Sequence, residues 1–179
     1  MDHRKRRRLE EQIAQELVLM VALVLLALVQ TSVLPRPYAI VPNLLLVLVV
    51  CQGLISEPDV AVRWALYSGI GLDLCSGAML GSHAMALLCA ALAATLPLAW
   101  LNRNNWMLPL AGVAIGSLVY HGVLILMLGI EQGWFDIQPY LLVVALPDIA
   151  AALIPALPLY LILRWDRARR RGELAIDIY

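Results

Sequence analysis

Four ionisable side chains stand inside otherwise apolar stretches of this chain. They are Asp73 and His83 in "GIGLDLCSGAMLGSHA" (69–84), His121 in "VYHGV" (119–123) and Asp148 in "LPDIA" (146–150). Two carboxylates at membrane depth would suit a cation or proton pathway, because an intramembrane charge costs on the order of 3 kcal/mol and is kept where it does something. The histidines would extend that set towards a metal site. However, no HxxxH, HExxH or paired-cysteine spacing exists, so a structural role suits them better and no metal is expected. Cys51, Cys75 and Cys89 fall singly within or at the edges of apolar runs and read as small buried hydrophobes. No GxSxG and no nucleotide-binding glycine loop is present, which leaves no enzymatic reading and no cofactor to expect.

The elements that must hold these residues are set by composition. With 62% hydrophobic and 15% charged residues and a mean hydropathy of +0.82, the 179-residue chain is far more apolar than a soluble domain. Apolar runs lie at Leu17 to Leu34, Ile40 to Ile55, Val60 to Ser76, His83 to Leu101, Met107 to Ile130 and Tyr140 to Leu163. Each is near the roughly 20 residues that cross hydrocarbon as a helix, the second and third being short. The fold expected is all-α and polytopic, with six transmembrane helices. "PRPY", "SEPD", "GAMLGS", "NRNN" and "EQGWFDIQP" are the turns between them. The chain divides into a basic segment at 1–16, a membrane domain at 17–163 and a basic tail at 164–179. The first run lacks a small-residue cleavage site and is expected to be retained.

Net charge is zero, but its distribution orients the bundle. Arg4, Lys5, Arg6, Arg7 and Arg8 precede the first run, and Arg164, Arg167, Arg169, Arg170 and Arg171 follow the last, which places both termini in the cytoplasm. Six alternating spans then put Arg63 and Arg103 inside as well and leave Arg36 alone outside, near Glu131 and Asp136. Trp64, Trp100, Trp106, Trp134 and Trp165 all fall near span ends, where indole prefers the headgroup level. The basic ends read as topology and lipid anchoring, not as a nucleic-acid site.

Within that frame Asp73 sits in the last turn of the third helix, where the macrodipole disfavours it. What compensates is expected close by: Ser76, Ser82, His83 and the unpaired N–H groups that begin the fourth helix. The carboxylate would cap that helix and pin the hairpin. Gly69, Asp73, Gly77 and Gly81 are spaced by four, and Gly112 and Gly116 form a second small-residue face; both patterns suit close helix packing, within the chain or between copies. Asp148 falls in the outer half of the sixth helix, level with Asp73, so the two are expected to share an outer cavity.

The order of these residues resembles a known family. "RPYAIVPNLLLVLVV", with Pro42 and Asn43 opening a helix, is followed by "GIGLDLCSGAMLGSHAMAL", in which Asp73, Leu74, Ser76, Gly77, Leu80 and Gly81 match the glycine-rich segment of the rod-shape-determining membrane protein MreD of bacteria. Length, helix number and the basic "LILRWDRARRR" are similar too. The resemblance implies a noncatalytic scaffold in the inner-membrane machine that builds the lateral peptidoglycan wall. Its partners would be MreC and, through it, RodA, a class B penicillin-binding protein and MreB filaments. It also implies a fold similar to the substrate-binding subunits of energy-coupling-factor vitamin importers, which supplies the alternative function. Those subunits carry an Ala-x-x-x-Ala motif in their first helix, whereas Ala22 and Ala27 here are five apart.

Overall fold

The computed structural model describes residues 2–32, 42–56, 58–77, 79–98, 106–133 and 136–176, all built from helices and short turns. The helices are α1 (Asp2–Ser32), α2 (Leu44–Ile55), α3 (Pro58–Ser76), α4 (Ser82–Leu98), α5 (Leu108–Gln132), α6 (Ile137–Tyr140) and α7 (Leu146–Ile176), with a π-helical turn at Leu141–Ala145 joining the last two. Neither charge boundary, at 16/17 or at 163/164, interrupts a helix, since α1 and α7 continue through them.

Among the described residues, three segments are long and apolar enough to cross a membrane: Ile13–Ser32, Leu108–Glu131 and Ile137–Arg169. Of the others, α2 and α4 are shorter than their apolar runs suggested. α2 has 12 residues, and at 1.5 Å per residue it reaches about 18 Å, well under the roughly 30 Å of hydrocarbon. α4 has 17 residues and α3 has 19, the latter with the lower hydropathy that Asp59, Arg63 and Asp73 confer.

The short α2 is the axis of the bundle. Apart from Gln52 it is apolar all round, and Leu45, Leu46, Val47, Val49, Val50, Cys51 and Leu54 are all buried. α3, α4, α5 and α7 pack directly against it, and around it the helices follow in the order α1, α3, α4, α5, α7, each touching the next. Small residues set the spacing. A Cβ on Gly69 would lie 2.2 Å from the Ala84 Cα, so α3 and α4 meet backbone to backbone there. Cβ atoms on Gly112 and Gly116 would come within 2.8 Å of Leu54 and 2.9 Å of Val50, which turns that pair inward onto α2. The Gly112 and Gly116 face is thus packed within the chain.

Contacts at the two ends of the bundle establish the up-and-down order. At one end Arg63 of α3 pairs with Glu16 of α1, Tyr67 donates to the same carboxylate at 3.3 Å, and Arg167 of α7 donates to Ser56 just after α2. The other end gathers the close of α1 and α3 with the starts of α2, α4 and α7. Both chain ends therefore leave the bundle on the Ser56 side. Trp64, Trp106 and Trp165 lie on that side too, the last two exposed, and Arg169 stacks over Trp165 at 4.0 Å. Trp100, Trp134, Arg36 and Arg103 fall outside the described residues.

Gly69→Val forces two backbones apart and is expected to lower stability by about 1 to 3 kcal/mol. Gly122→Ala meets nothing within 4 Å and should be neutral or stabilising by less than about 1 kcal/mol. Thermal unfolding of the two purified variants in detergent checks the contrast.

Candidate functional site

Asp73 is 4% exposed, and its carboxylate faces the start of α4. Oδ1 accepts from the His83 N–H at 2.8 Å and the Ser82 hydroxyl at 3.4 Å, while Oδ2 accepts from Gly81 N–H at 2.9 Å and Ala84 N–H at 3.3 Å. The Ser82 N–H donates to the Met79 carbonyl and the Met85 N–H to the Gly81 carbonyl. Every backbone donor from 81 to 85 therefore has an acceptor, and most of them share one carboxylate. The positive end of α4 stabilises the charge that the end of α3 repels, and charge-assisted hydrogen bonds add to it. Ser82 is a serine on this carboxylate. Ser76 is exposed as the last residue of α3.

The four-residue spacing of glycines does not continue as a packing face. α3 stops at Ser76, and Gly77 and Gly81 take φ of +67° and +97° with open space around them. They are turn residues, reversing the chain in the left-handed region that glycine enters without penalty.

The start of α2 is provided for in the same way, with acceptors from two other helices. Asn43 is its N-cap, and its side chain accepts from the Leu46 N–H at 3.1 Å. The Gln30 carbonyl oxygen, from α1, accepts from the Leu45 N–H at 3.2 Å, and the Gln30 amide donates to Asn43 at 3.3 Å. Asp148, from α7, accepts the Asn43 N–H at 3.1 Å. With Leu44 donating to the Pro42 carbonyl and Val47 to the Asn43 carbonyl, the donors from 43 to 47 are again complete.

The second oxygen of Asp148 lies 2.8 Å from His121 Nε2, and His121 Nδ1 lies 3.2 Å from the Tyr140 hydroxyl. An imidazole protonated on Nε2 satisfies both contacts at once. Tyr140 and Asp148 are eight residues apart, an offset of about 80° in an α-helix. The π-turn between them adds a residue to one turn and rotates Tyr140 by roughly 100°, which brings both side chains onto the same imidazole. His83, whose backbone N–H is held by Asp73, places its Nδ1 2.8 Å from the Tyr120 hydroxyl of α5.

Between Asp73 and Asp148 thus runs a ladder of polar and ring contacts, from Asp73 to the His83 N–H, from the His83 ring to Tyr120, and from Tyr120 edge-on to His121, which meets Asp148. His121 is residue 14 of 25 in α5, so the ladder lies about 20 Å from the Leu108 end of that helix. Gln30, Tyr120 and Tyr140 carry no motif, and a polar group inside an apolar run was the only signal that could have found them. Among the described residues, no three of His, Cys, Asp and Glu approach closely enough to hold a metal ion.

A family model described as rod shape-determining protein MreD matches residues 11–165, and the chain belongs to that family. The matched region takes in both capped helix starts. No curated protein and no solved structure matches the chain significantly.

Asn keeps an oxygen acceptor, so Asp73→Asn should retain much of the hairpin, whereas Asp73→Ala leaves buried donors unpaired at a cost of about 1 to 3 kcal/mol. Asp148→Asn and Asp148→Leu should rank in the same order, the leucine removing the acceptor of the Asn43 N–H. Folded yield from membranes, read by size-exclusion chromatography, gives the ranking.

Proposed function

We propose that this member of the MreD family is a noncatalytic scaffold of the machine that synthesises lateral peptidoglycan, and that it acts by holding MreC in the bacterial inner membrane. A role in rod shape determination comes with the family, which is a family of shape-determining structural proteins and not of known enzymes. The observation that carries the scaffold reading is how the intramembrane polar groups are used. Asp73, His83, Tyr120, Asn43, Asp148 and His121 each bond one helix to another, as parts that fix relative helix positions do. A carrier would need such groups to change partners.

In this reading the chain crosses the membrane six times, the helix α2 covering only part of its own crossing. The Ser56 end, with both basic chain ends, faces the cytoplasm, and the Gly77–Gly81 turn faces outward. RodA, a class B penicillin-binding protein and MreB are reached through MreC or directly. Pro42, Asn43, Gly69, Asp73, Ser76, Gly77, Gly81, His83, Gly112, Gly116 and Asp148 then serve the shape of the scaffold that partners recognise. The competing reading is a substrate-binding subunit of a vitamin importer, with a fold of that type.

Depletion in a rod-shaped host should give round, widening cells that still build septal wall, and native-membrane purification should recover MreC. Normal rods with lost vitamin uptake, and recovery of a nucleotide-driven importer scaffold, would reverse the assignment. Cysteines placed at 77 and 103 should label from outside and inside respectively, and a periplasmic C-terminus would exclude six spans.

A further inference from the structure

The ring of helices around α2 is not closed. About six helices of equal width fit around a central one at the usual interaxial distance of 8–10 Å. α2 has α1, α3, α4, α5 and α7 around it, and among the described residues α7 does not pack against α1. The contacts of α2 locate the open position. Val50 faces Gly116 of α5, Gly53 faces Thr95 of α4 and Ala61 of α3, and the Cys51 thiol lies 3.5 Å from the Ala156 carbonyl of α7. Leu48 and Gln52 are offset by about 60° and 100° from Cys51, on the side away from Val50. With Leu44 they form a stripe spaced by four, and within 44–56 only these three are half-exposed. The stripe floors a gap between α7 and α1 that is one helix wide.

The lining and the borders of the gap limit what can fill it. Two leucines of the stripe suit any apolar occupant, but Gln52 adds an amide one turn from Ser56. A lipid chain brings nothing to that amide, whereas a helix can face it with a polar side chain. On the Ser56 side the gap is bordered by the two helices that run on past the bundle. Residues 2–12 of α1 include five basic and three acidic residues, and residues 164–176 of α7 include five and two. Arg4 to Arg8 are consecutive, and five residues at 100° intervals encircle a helix, so α1 brings positive charge to the gap whichever way it is turned. A second copy would set another basic helix end, α1 or α7, against these two. The complement is an acidic segment.

We propose that the gap between α1 and α7 seats one membrane-spanning helix of a different protein, with a polar side chain facing Gln52 and acidic residues following it on the cytoplasmic side. The inference rests on the scaffold reading only for placing the Ser56 end in the cytoplasm, and it does not require the partner to be MreC.

The test co-reconstitutes the full chain in phosphatidylcholine nanodiscs with a synthetic membrane-spanning peptide of about 20 leucines and alanines. One asparagine near an end of the peptide is set to face Gln52, and three glutamates or three lysines follow that end. A small diazirine amino acid replaces Leu48 in the gap or, in a second preparation, Leu118 on the exposed face of α5. The glutamate peptide should crosslink from position 48 about tenfold more than from 118, and about tenfold more than the lysine peptide does from 48. Raising the salt to roughly 0.5 M should narrow the second ratio, because screening shortens the reach of the charges. Equal yields from 48 and 118 would mean passing contact in the bilayer and overturn the site. Equal yields from the two peptides would overturn the acidic flank and the proposal with it. A crosslink from 48 to lipid or to a second copy, with the glutamate peptide present, would give the gap to that occupant and overturn the proposal equally. Cell rounding on depletion and recovery of MreC read the scaffold function separately, so either reading can fail alone.

Discussion

A helix that begins inside a membrane has backbone donors with no water to accept them, and the rest of this structure follows from how two such helices are started. α2, at about 18 Å, cannot reach both faces of the bilayer. α4 starts level with the middle of α5, through the ladder that joins His83 to Tyr120. Leaving several N–H groups unpaired at that depth would cost more than the whole margin of stability of a small domain. Asp73 and Asp148 supply the acceptors, and the positive helix ends supply the stabilisation that makes charge tolerable there.

Because each acceptor comes from a different helix than the donors it serves, satisfying the backbone also fixes the tertiary arrangement. Asp73 ties α3 to α4, while Gln30 and Asp148 tie α1 and α7 to the head of α2. The close approach at Gly69 and the inward Gly112 and Gly116 then hold the helices at the spacing those bonds require. Such a bundle has few ways to rearrange one helix without breaking a charged cap. The family to which the chain belongs is one of rod shape determination.

Much of this was legible in the sequence, for reasons that can be named. Asp73 stood out because a carboxylate among glycines in an apolar run has few explanations, and a helix start a few residues on supplied one. Asn43 was legible as the opening of a helix through the resemblance, and it is the N-cap of α2. Gln30, Tyr120 and Tyr140 were not, since their significance depends on which helices are neighbours, and hydropathy is silent about that. The π-turn at Leu141–Ala145 was hidden for a similar reason, as Leu-Leu-Val-Val-Ala reads as ordinary apolar helix until Tyr140 and Asp148 must reach one imidazole. Gly77 and Gly81 carried two signals, a turn between two apolar runs and a four-residue spacing, and it is the turn that the chain makes.

Hydrogen–deuterium exchange of the backbone amides of residues 81–84 in the purified chain and in Asp73→Ala tests the central claim most directly. Those amides should be protected like helix interior in wild type and lose protection in the variant, while residues 43–46, held by Gln30, Asn43 and Asp148, keep theirs. Free exchange at 81–84 in wild type, or protection that survives loss of the carboxylate, would contradict the account.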